Sequence, residues 1–380
     1  MKLMRNADVY APAHLGKRDI LIEGGKIAKI EADLSRYAEL ADEVIDVQGA
    51  KVVPGYIDSH IHITGGGGEQ GPASRVPECP LCELTRNGVT TVLGLLGTDG
   101  VSRSLPNLLF KCRALNEEGV TCYALTGSYQ YPSQTMTGSV IDDISLIGEI
   151  IGCKVALSDH RSSNMTKEEL IRLASDVRMG GLISGKAGVL VMHMGSGKNR
   201  LKHVLDAMRE TDIPARTFWP THMRRSQELI DEGIEFIGMG GTIDFTATED
   251  GSVAKCVAQL VQQRGVSIDH ITMSSDAFGS MPRFDEKGVC VGLTYVSPRT
   301  LHDELKHMVT EHGIALEDAL KLLTVNPARM MQLQGVKGEI AVGADADMIV
   351  YNADMGIDSV IAKGNMAVQR GEILLKGRFE

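Results

Sequence analysis

Apolar and polar positions follow two different rhythms along this chain. In the first fifty residues, short apolar runs are broken by tight turns. Asp19-Ile-Leu-Ile-Glu23 is followed by Gly24-Gly25 and then by Lys26-Ile-Ala-Lys-Ile30, a hairpin pattern. The last forty residues repeat that rhythm, with strand-like runs at 347–351, 359–362 and 366–369 separated by turns containing Gly or Asp. The two ends are therefore expected to build one small β-sandwich domain, residues 1–54 and 338–380, around a central insertion at 55–337.

Within the insertion the rhythm changes. Eight β-rich runs, at 52–61, 90–96, 122–128, 153–158, 189–194, 217–221, 242–248 and 271–275, recur with segments of 3.6-residue period between them. Thr166-Lys-Glu-Glu169 is a capping-box pattern that opens one such helix, with Leu170, Leu173, Ala174 and Val177 on one side. Strands alternating with helices imply a parallel sheet, and eight units are the number that closes a (β/α)8 TIM barrel. Helical segments around 300–333 then lead back to the β domain.

Length and charge narrow the class further. The chain has 380 residues, and at roughly 150 residues per domain that admits a barrel with an appendage. Lys and Arg number 39 against 49 Asp and Glu, a formal net charge of −10 with no basic run, so neither nucleic acid nor an anionic membrane is an expected partner. No stretch approaches the roughly 18 to 20 apolar residues of a membrane helix, and the start lacks the apolar segment of a signal peptide. The expected compartment is the cytoplasm. Seven scattered cysteines do not form a secreted protein's disulfide framework, and Cys79-Pro-Leu-Cys82 reads as a pair of reduced thiols.

In such a barrel, catalytic groups gather at the C-terminal ends of the strands, so the polar residues that end each run are the candidates. The first run ends in Asp58-Ser-His-Ile-His62. Residues two apart in a strand face the same way, so His60 and His62 project together, which suits two imidazoles on one metal. The fifth run ends at His193, the sixth reaches His222 and the eighth reaches Asp276. Singly, each is an ordinary core or loop residue. Four histidines and a carboxylate at one end of four strands point to a metal site.

Lys154 stands in the fourth run, Gly152-Cys-Lys-Val-Ala156, which is otherwise apolar or small. A lysine there either snorkels to solvent or pairs with an acid, or it has a chemical role. Beside divalent cations a buried ammonium is repelled, its pKa falls, and the neutral amine can take up carbon dioxide as a carbamate. That group is an extended carboxylate able to bridge two metals.

Several stretches together resemble the amidohydrolase superfamily, and within it the isoaspartyl dipeptidases, over essentially the whole chain. They are Val53-Pro-Gly-Tyr-Ile-Asp-Ser-His-Ile-His62, Gly65-Gly-Gly-Gly-Glu69, Leu125-Thr-Gly-Ser-Tyr129, Lys154, Ser158-Asp-His-Arg161, His193, Thr221-His222, Arg225 and Ser274-Ser-Asp276. The Cys79–Cys82 segment and Ala277-Phe278 depart from the pattern. The resemblance implies metal-dependent hydrolysis of the β-aspartyl (isoaspartyl) bond in dipeptides. It implies two Zn2+ per chain, one on His60 and His62 and one on His193 and His222, bridged by carbamylated Lys154, with Asp276 completing the site. It further implies a zinc-bridged hydroxide as nucleophile, Tyr129 polarising the scissile carbonyl, and Asp276 shuttling the proton to the leaving amine.

A β-aspartyl dipeptide carries one ammonium and two carboxylates, so its site needs an anion and several cations or donors. Glu69, after a glycine run that admits close backbone approach, is the candidate for the ammonium, the alternative being a solvated loop glutamate. Arg161 and Arg225, each a few residues beyond a ligand-bearing strand, are candidates for carboxylates. Thr98 and Ser280 are further candidates for carboxylate contacts, while Arg224 reads as surface pairing and His160 as a neighbour of the site. A cyclic-amide hydrolase of the dihydroorotase or hydantoinase type would use the same metal core, but Glu69, Arg161 and Arg225 suit a zwitterion better than a neutral ring. A small dipeptide is thus the expected substrate, and the chain is expected to form a homo-oligomer.

Overall fold

The computed structural model describes residues 1–284 and 290–380. Strands β1 (Lys2–Tyr10), β2 (His14–Glu23), β3 (Lys26–Glu31), β4 (Glu43–Asp46) and β5 (Lys51–Pro54) come first. The middle of the chain carries β6 (Tyr56–Ile61), β7 (Val89–Gly94), β8 (Thr121–Gly127), β9 (Ile150–Leu157), β10 (Val189–Met194), β11 (Phe218–Thr221), β12 (Ile243–Thr246) and β13 (Ile271–Ser274). These coincide with the eight β-rich runs. A hairpin, β14 (Ser280–Phe284) and β15 (Cys290–Tyr295), follows, and β16 (Met348–Tyr351), β17 (Ile357–Ala362), β18 (Asn365–Gln369) and β19 (Glu372–Ile373) close the chain.

Strands β6 to β11 pair in chain order as a six-stranded parallel sheet, and β12 and β13 form a parallel pair. Parallel neighbours need a crossover. Helices α1 (Leu81–Thr85), α2 (Leu105–Glu118), α3 (Val140–Leu146), α4 (Lys167–Ser184), α5 (Lys202–Glu210), α6 (Gln227–Gly238) and α7 (Ser252–Ala258) supply it. The end of the β12–β13 pair reaches β6: the Asp276 N–H donates to the His60 carbonyl (3.0 Å) and the His62 N–H to the Ala277 carbonyl (2.9 Å).

Helix α4 begins as its sequence dictates. The Thr166 hydroxyl accepts from the Glu169 N–H, the Glu169 carboxylate accepts from the Thr166 N–H, and Leu170, Leu173, Ala174 and Val177 are buried. Every residue of β6, β7, β9 and β10 is buried. Covered on both faces, β9 and β10 read as nearly continuous apolar runs, which makes the lysine in one and the histidine in the other conspicuous.

The termini differ from expectation in one respect. Where the sequence reading expects a β-sandwich, their nine strands join one hydrogen-bonded sheet in the order β19-β18-β17-β16-β5-β1-β2-β3, with β4 beside β1. The reason lies in β1, whose register breaks between Met4 and Ala7 around Asn6, a non-glycine residue at φ 57. Ahead of the break β1 pairs with β4, and beyond it with β5, which hands the ladder on to β16.

One residue, Gly55, separates β5 from β6, and a Cβ there would lie 2.3 Å from the Thr90 hydroxyl oxygen. Just beyond, the buried Tyr56 hydroxyl contacts His302 Nδ1 (2.9 Å) and the Tyr351 hydroxyl of the terminal sheet. The strand that bears His60 and His62 is thereby anchored at its start. Among the described residues no helix is long and apolar enough to cross a membrane.

Candidate active site

Strand ends deliver the expected side chains to one place. His60 lies within β6 and His62 just past it, Lys154 within β9, His193 within β10, His222 one residue past β11, and Asp276 two past β13. The ligand atoms of His60, His62 and Asp276 lie within 4.8 Å of one another. His62 Nε2 donates to Asp276 Oδ1 at 3.1 Å, and His60 Nε2 is 3.6 Å from the same oxygen. Lys154 Nζ lies 2.7 Å from His60 Nε2. The His222 ring joins from the side, its centroid 5.1 Å from that of His60 and 4.4 Å from that of His193. Both His222 (φ 62) and Asp276 (φ 54) occupy the left-handed backbone region, where a Cβ is disfavoured. The Met223 N–H bond to the Asp244 carbonyl and the Asp276 N–H bond to the His60 carbonyl hold those turns.

Burial sets the protonation states. It drives His60 and His222 well below the ordinary histidine value and His193 down to about 3, with neighbouring positive groups adding to the effect. These are neutral imidazoles at physiological pH, the form that binds metal. Lys154, fully buried, falls to about 7, against the pull of Asp276 and Asp244. For Asp276, burial pushes upward, but the His62 hydrogen bond and the neighbouring His222 and Lys154 outweigh it and hold the carboxyl at about 2.

Two buried atoms, His62 Nδ1 and His222 Nε2, have no hydrogen-bond partner among the described residues. Buried polar atoms are nearly always partnered, so the unpartnered His222 Nε2, together with the clustered ligand atoms of His60, His62 and Asp276, fits a cation. His193 is differently engaged: the Tyr129 hydroxyl lies 2.7 Å from its Nδ1, and its Nε2 lies 3.0 Å from Asp159 Oδ2. The Tyr129 hydroxyl is pushed far above the ordinary tyrosine value by burial and then by Asp276.

Asp159 is the principal residue that the sequence reading passed over. It is buried, and it accepts from the Arg161 N–H (2.8 Å), from Arg161 Nε and Nη2 (2.9 Å each) and from His193. Although burial pushes it upward, the bonds from His193 and Arg161 hold it far below the usual carboxylate range. Its sequence signal is its place two residues before Arg161 in the loop after β9. Thr246 was missed as well; its hydroxyl is 2.5 Å from His222 Nδ1. Asp58 accepts from the Ser275 N–H (3.1 Å) and from the Ser275 hydroxyl, and burial raises it to about 7.

The residues proposed to read a substrate also converge. Glu69 Oε1 accepts from the Thr98 hydroxyl (3.1 Å) and from Arg161 Nη1 (3.3 Å), and its Oε2 accepts from the Ser280 hydroxyl (2.9 Å). Gly65, Gly67 and Gly68 before it all have positive φ, and a Cβ on Gly65 would meet the Val76 carbonyl oxygen at 2.1 Å, so the run requires glycine. Arg225 stands apart from this cluster, its Nε donating to the Met194 carbonyl at 2.7 Å. A cleft of about 620 Å³ is lined by Glu69, Arg161, His222, Arg225, Asp276 and Ser280. Arg224 lines it too, so the cleft brings the His222 imidazole and the Asp276 carboxylate together with the Glu69 carboxylate and three guanidinium groups, a set that suits a small zwitterion.

Residues 51–367 match the model of the amidohydrolase family. The β-aspartyl dipeptidase of Fervidobacterium islandicum AW-1, whose structure holds a β-Asp-Leu dipeptide, is 41% identical to this chain, with a TM-score of 0.91 over 98% of each chain. The imidazolonepropionase of Thermoplasma acidophilum is 23% identical over 97% of this chain and 92% of its own length. A D-hydantoinase structure, 19% identical, shares the fold with a TM-score of 0.68 over 99% of this chain and 97% of that one.

Proposed function

Because this chain belongs to the amidohydrolase family, we propose that its cleft hydrolyses the β-aspartyl bond of dipeptides with free termini. The observation that carries this reading is the Glu69 carboxylate, ringed by Thr98, Ser280 and Arg161 at the wall of a cleft that also presents Arg225 and Asp276. The 41% identity to a β-aspartyl dipeptidase supports it.

The floor of the cleft fits a metal pair. In this reading His60 and His62 would hold one Zn2+ and His193 and His222 the other, with Lys154, as its carbamate, and Asp276 as the remaining ligands. The carbamate forms when the Lys154 amine adds to carbon dioxide, making an N–C bond and releasing a proton, and burial favours the neutral amine this needs. When bound, the metals supply a water of lowered pKa and polarisation of the scissile carbonyl.

Glu69 takes the substrate ammonium, and Arg161 and Arg225 take carboxylates, with Thr98 and Ser280 as further donors. Asp276, ionised at neutral pH, accepts the proton of the attacking water and delivers it to the leaving amine. Tyr129 stays protonated and donates to the carbonyl oxygen as charge develops there. The reading also takes β6 to β13 as one closed (β/α)8 barrel at 55–337, with 1–54 and 338–380 as the second domain. The Asp276 and His62 backbone bonds that join β13's end to β6 support it. Exposed Leu146 on α3 and Met179, Leu182 and Ile183 on α4 support a homo-oligomer.

The test compares kcat/KM for β-aspartyl-leucine, α-aspartyl-leucine and dihydroorotate, with metal content measured on the same sample. A clear preference for the β-linked dipeptide is expected. A preference for dihydroorotate would overturn the reading in favour of cyclic-amide hydrolysis.

A further inference from the structure

At Arg161 and Arg225 a second space adjoins the cleft. A second lobe of about 540 Å³ shares His160, Arg161 and Arg225 with the catalytic cleft and continues to Asn164, Ser196 and Lys198. Its wall is built by close packing of two loops: a Cβ on Gly197 would lie 2.5 Å from the Ser158 carbonyl oxygen, and one on Gly195 would lie 2.3 Å from it.

The charge of this lobe is one-sided. Among the described residues Asp159 is the one carboxylate that lines it, and both its oxygens are already taken by Arg161 and His193. Lys198 is exposed and makes no hydrogen bond or ion pair among the described residues, and Arg225 is held through Nε alone. Among the described residues the lobe thus offers one unpartnered ammonium, Lys198, and a partly engaged Arg225, framed by the neutral Asn164 and Ser196 side chains, with no free carboxylate.

We propose that this lobe is a specificity subsite for the side-chain carboxylate of the residue that leaves the β-aspartyl group, with Lys198 as its charge partner. The inference rests on the function proposed above and deepens it. A leaving residue whose α-carboxylate sits at Arg161 and Arg225 stands at the mouth of the second lobe, because those two residues line both spaces. A glutamate side chain then carries its carboxylate through two methylenes toward Lys198. The substrate class singled out is β-aspartyl dipeptides with an acidic second residue.

The experiment compares β-aspartyl-glutamate with the isosteric β-aspartyl-glutamine in the metal-loaded wild type, in Lys198→Gln and in Lys198→Arg, with β-aspartyl-leucine alongside. The wild type is expected to favour the glutamate substrate by about fivefold in kcat/KM at low salt, the scale of one solvent-exposed ion pair. That ratio should fall to about one in Lys198→Gln, persist in Lys198→Arg and shrink in high salt. A wild-type ratio near one, or a ratio untouched by Lys198→Gln, overturns the subsite while leaving β-aspartyl hydrolysis in place. Failure to cleave β-aspartyl-leucine overturns the underlying function and the subsite with it.

Discussion

Lys154 Nζ lies 2.7 Å from His60 Nε2, with both side chains buried. A full ammonium is poorly served there, since burial disfavours its charge and the group at contact is an imidazole. A neutral amine, the form from which the proposed carbamate is made, is the better match.

Lys154→Ala is therefore expected to lose most of its bound metal and most of its turnover, because two cations would face each other with no bridging anion. Short carboxylic acids should restore part of the activity by occupying the gap. Metal analysis and kcat, with and without added formate, check this; near wild-type turnover in the variant would rule out the bridge.

In metal-free, bicarbonate-free buffer the same lysine should leave a mark on stability. Its folded value of about 7 lies below the ordinary 10.5, so between those two values the unfolded chain holds a proton that the folded chain does not. Stability contributed by this group therefore rises with pH across that window, by up to about 1.4 kcal/mol per pH unit. Lys154→Met should flatten that component. Urea unfolding at pH 7, 8 and 9 tests it, and parallel curves for the two proteins would contradict it.

Asp276→Asn is expected to fold and bind dipeptide yet turn over about 10² to 10⁴ times more slowly, since an amide neither accepts the water proton nor returns it. A loss smaller than about tenfold in kcat would move the acid–base role to another group.

Tyr129→Phe removes the hydroxyl 2.7 Å from His193 Nδ1. If that hydroxyl stabilises the developing oxyanion, kcat should drop about a hundredfold while KM changes little. An effect confined to KM would assign it to substrate positioning.

Glu69 should enforce a free amino terminus. N-acetyl-β-aspartyl-leucine is expected to react roughly 10 to 100 times less efficiently than the free dipeptide, the scale of a hydrogen bond to a charged group. In Glu69→Gln that gap should narrow as the free dipeptide becomes the poorer substrate. Equal rates on both substrates in the wild type would take ammonium recognition away from Glu69.

Much of this site is legible in one dimension because strands buried on both faces tolerate few polar residues. Within β9 and β10, Lys154 and His193 stand out against apolar neighbours, and the two-residue spacing of His60 and His62 fixes their common direction before any coordinates are known. The α4 cap is local in the same sense, since Thr166 and Glu169 are three residues apart and satisfy each other.

What the sequence by itself determined, then, is the order of the strands and the identity of the side chains that each brings to its C-terminal end. Only the tertiary structure decided their partners. Glu69 meets Thr98, Arg161 and Ser280 across as many as 211 positions, and Asp159 reaches His193 across 34, contacts for which neither periodicity nor propensity carries a signal. The single terminal sheet was likewise a tertiary outcome, set by a register break at Asn6 that lets one strand pair with β4 and then β5. Patterning along a chain records which face of an element is buried, whereas long-range hydrogen bonds and sheet continuity depend on how distant backbones meet.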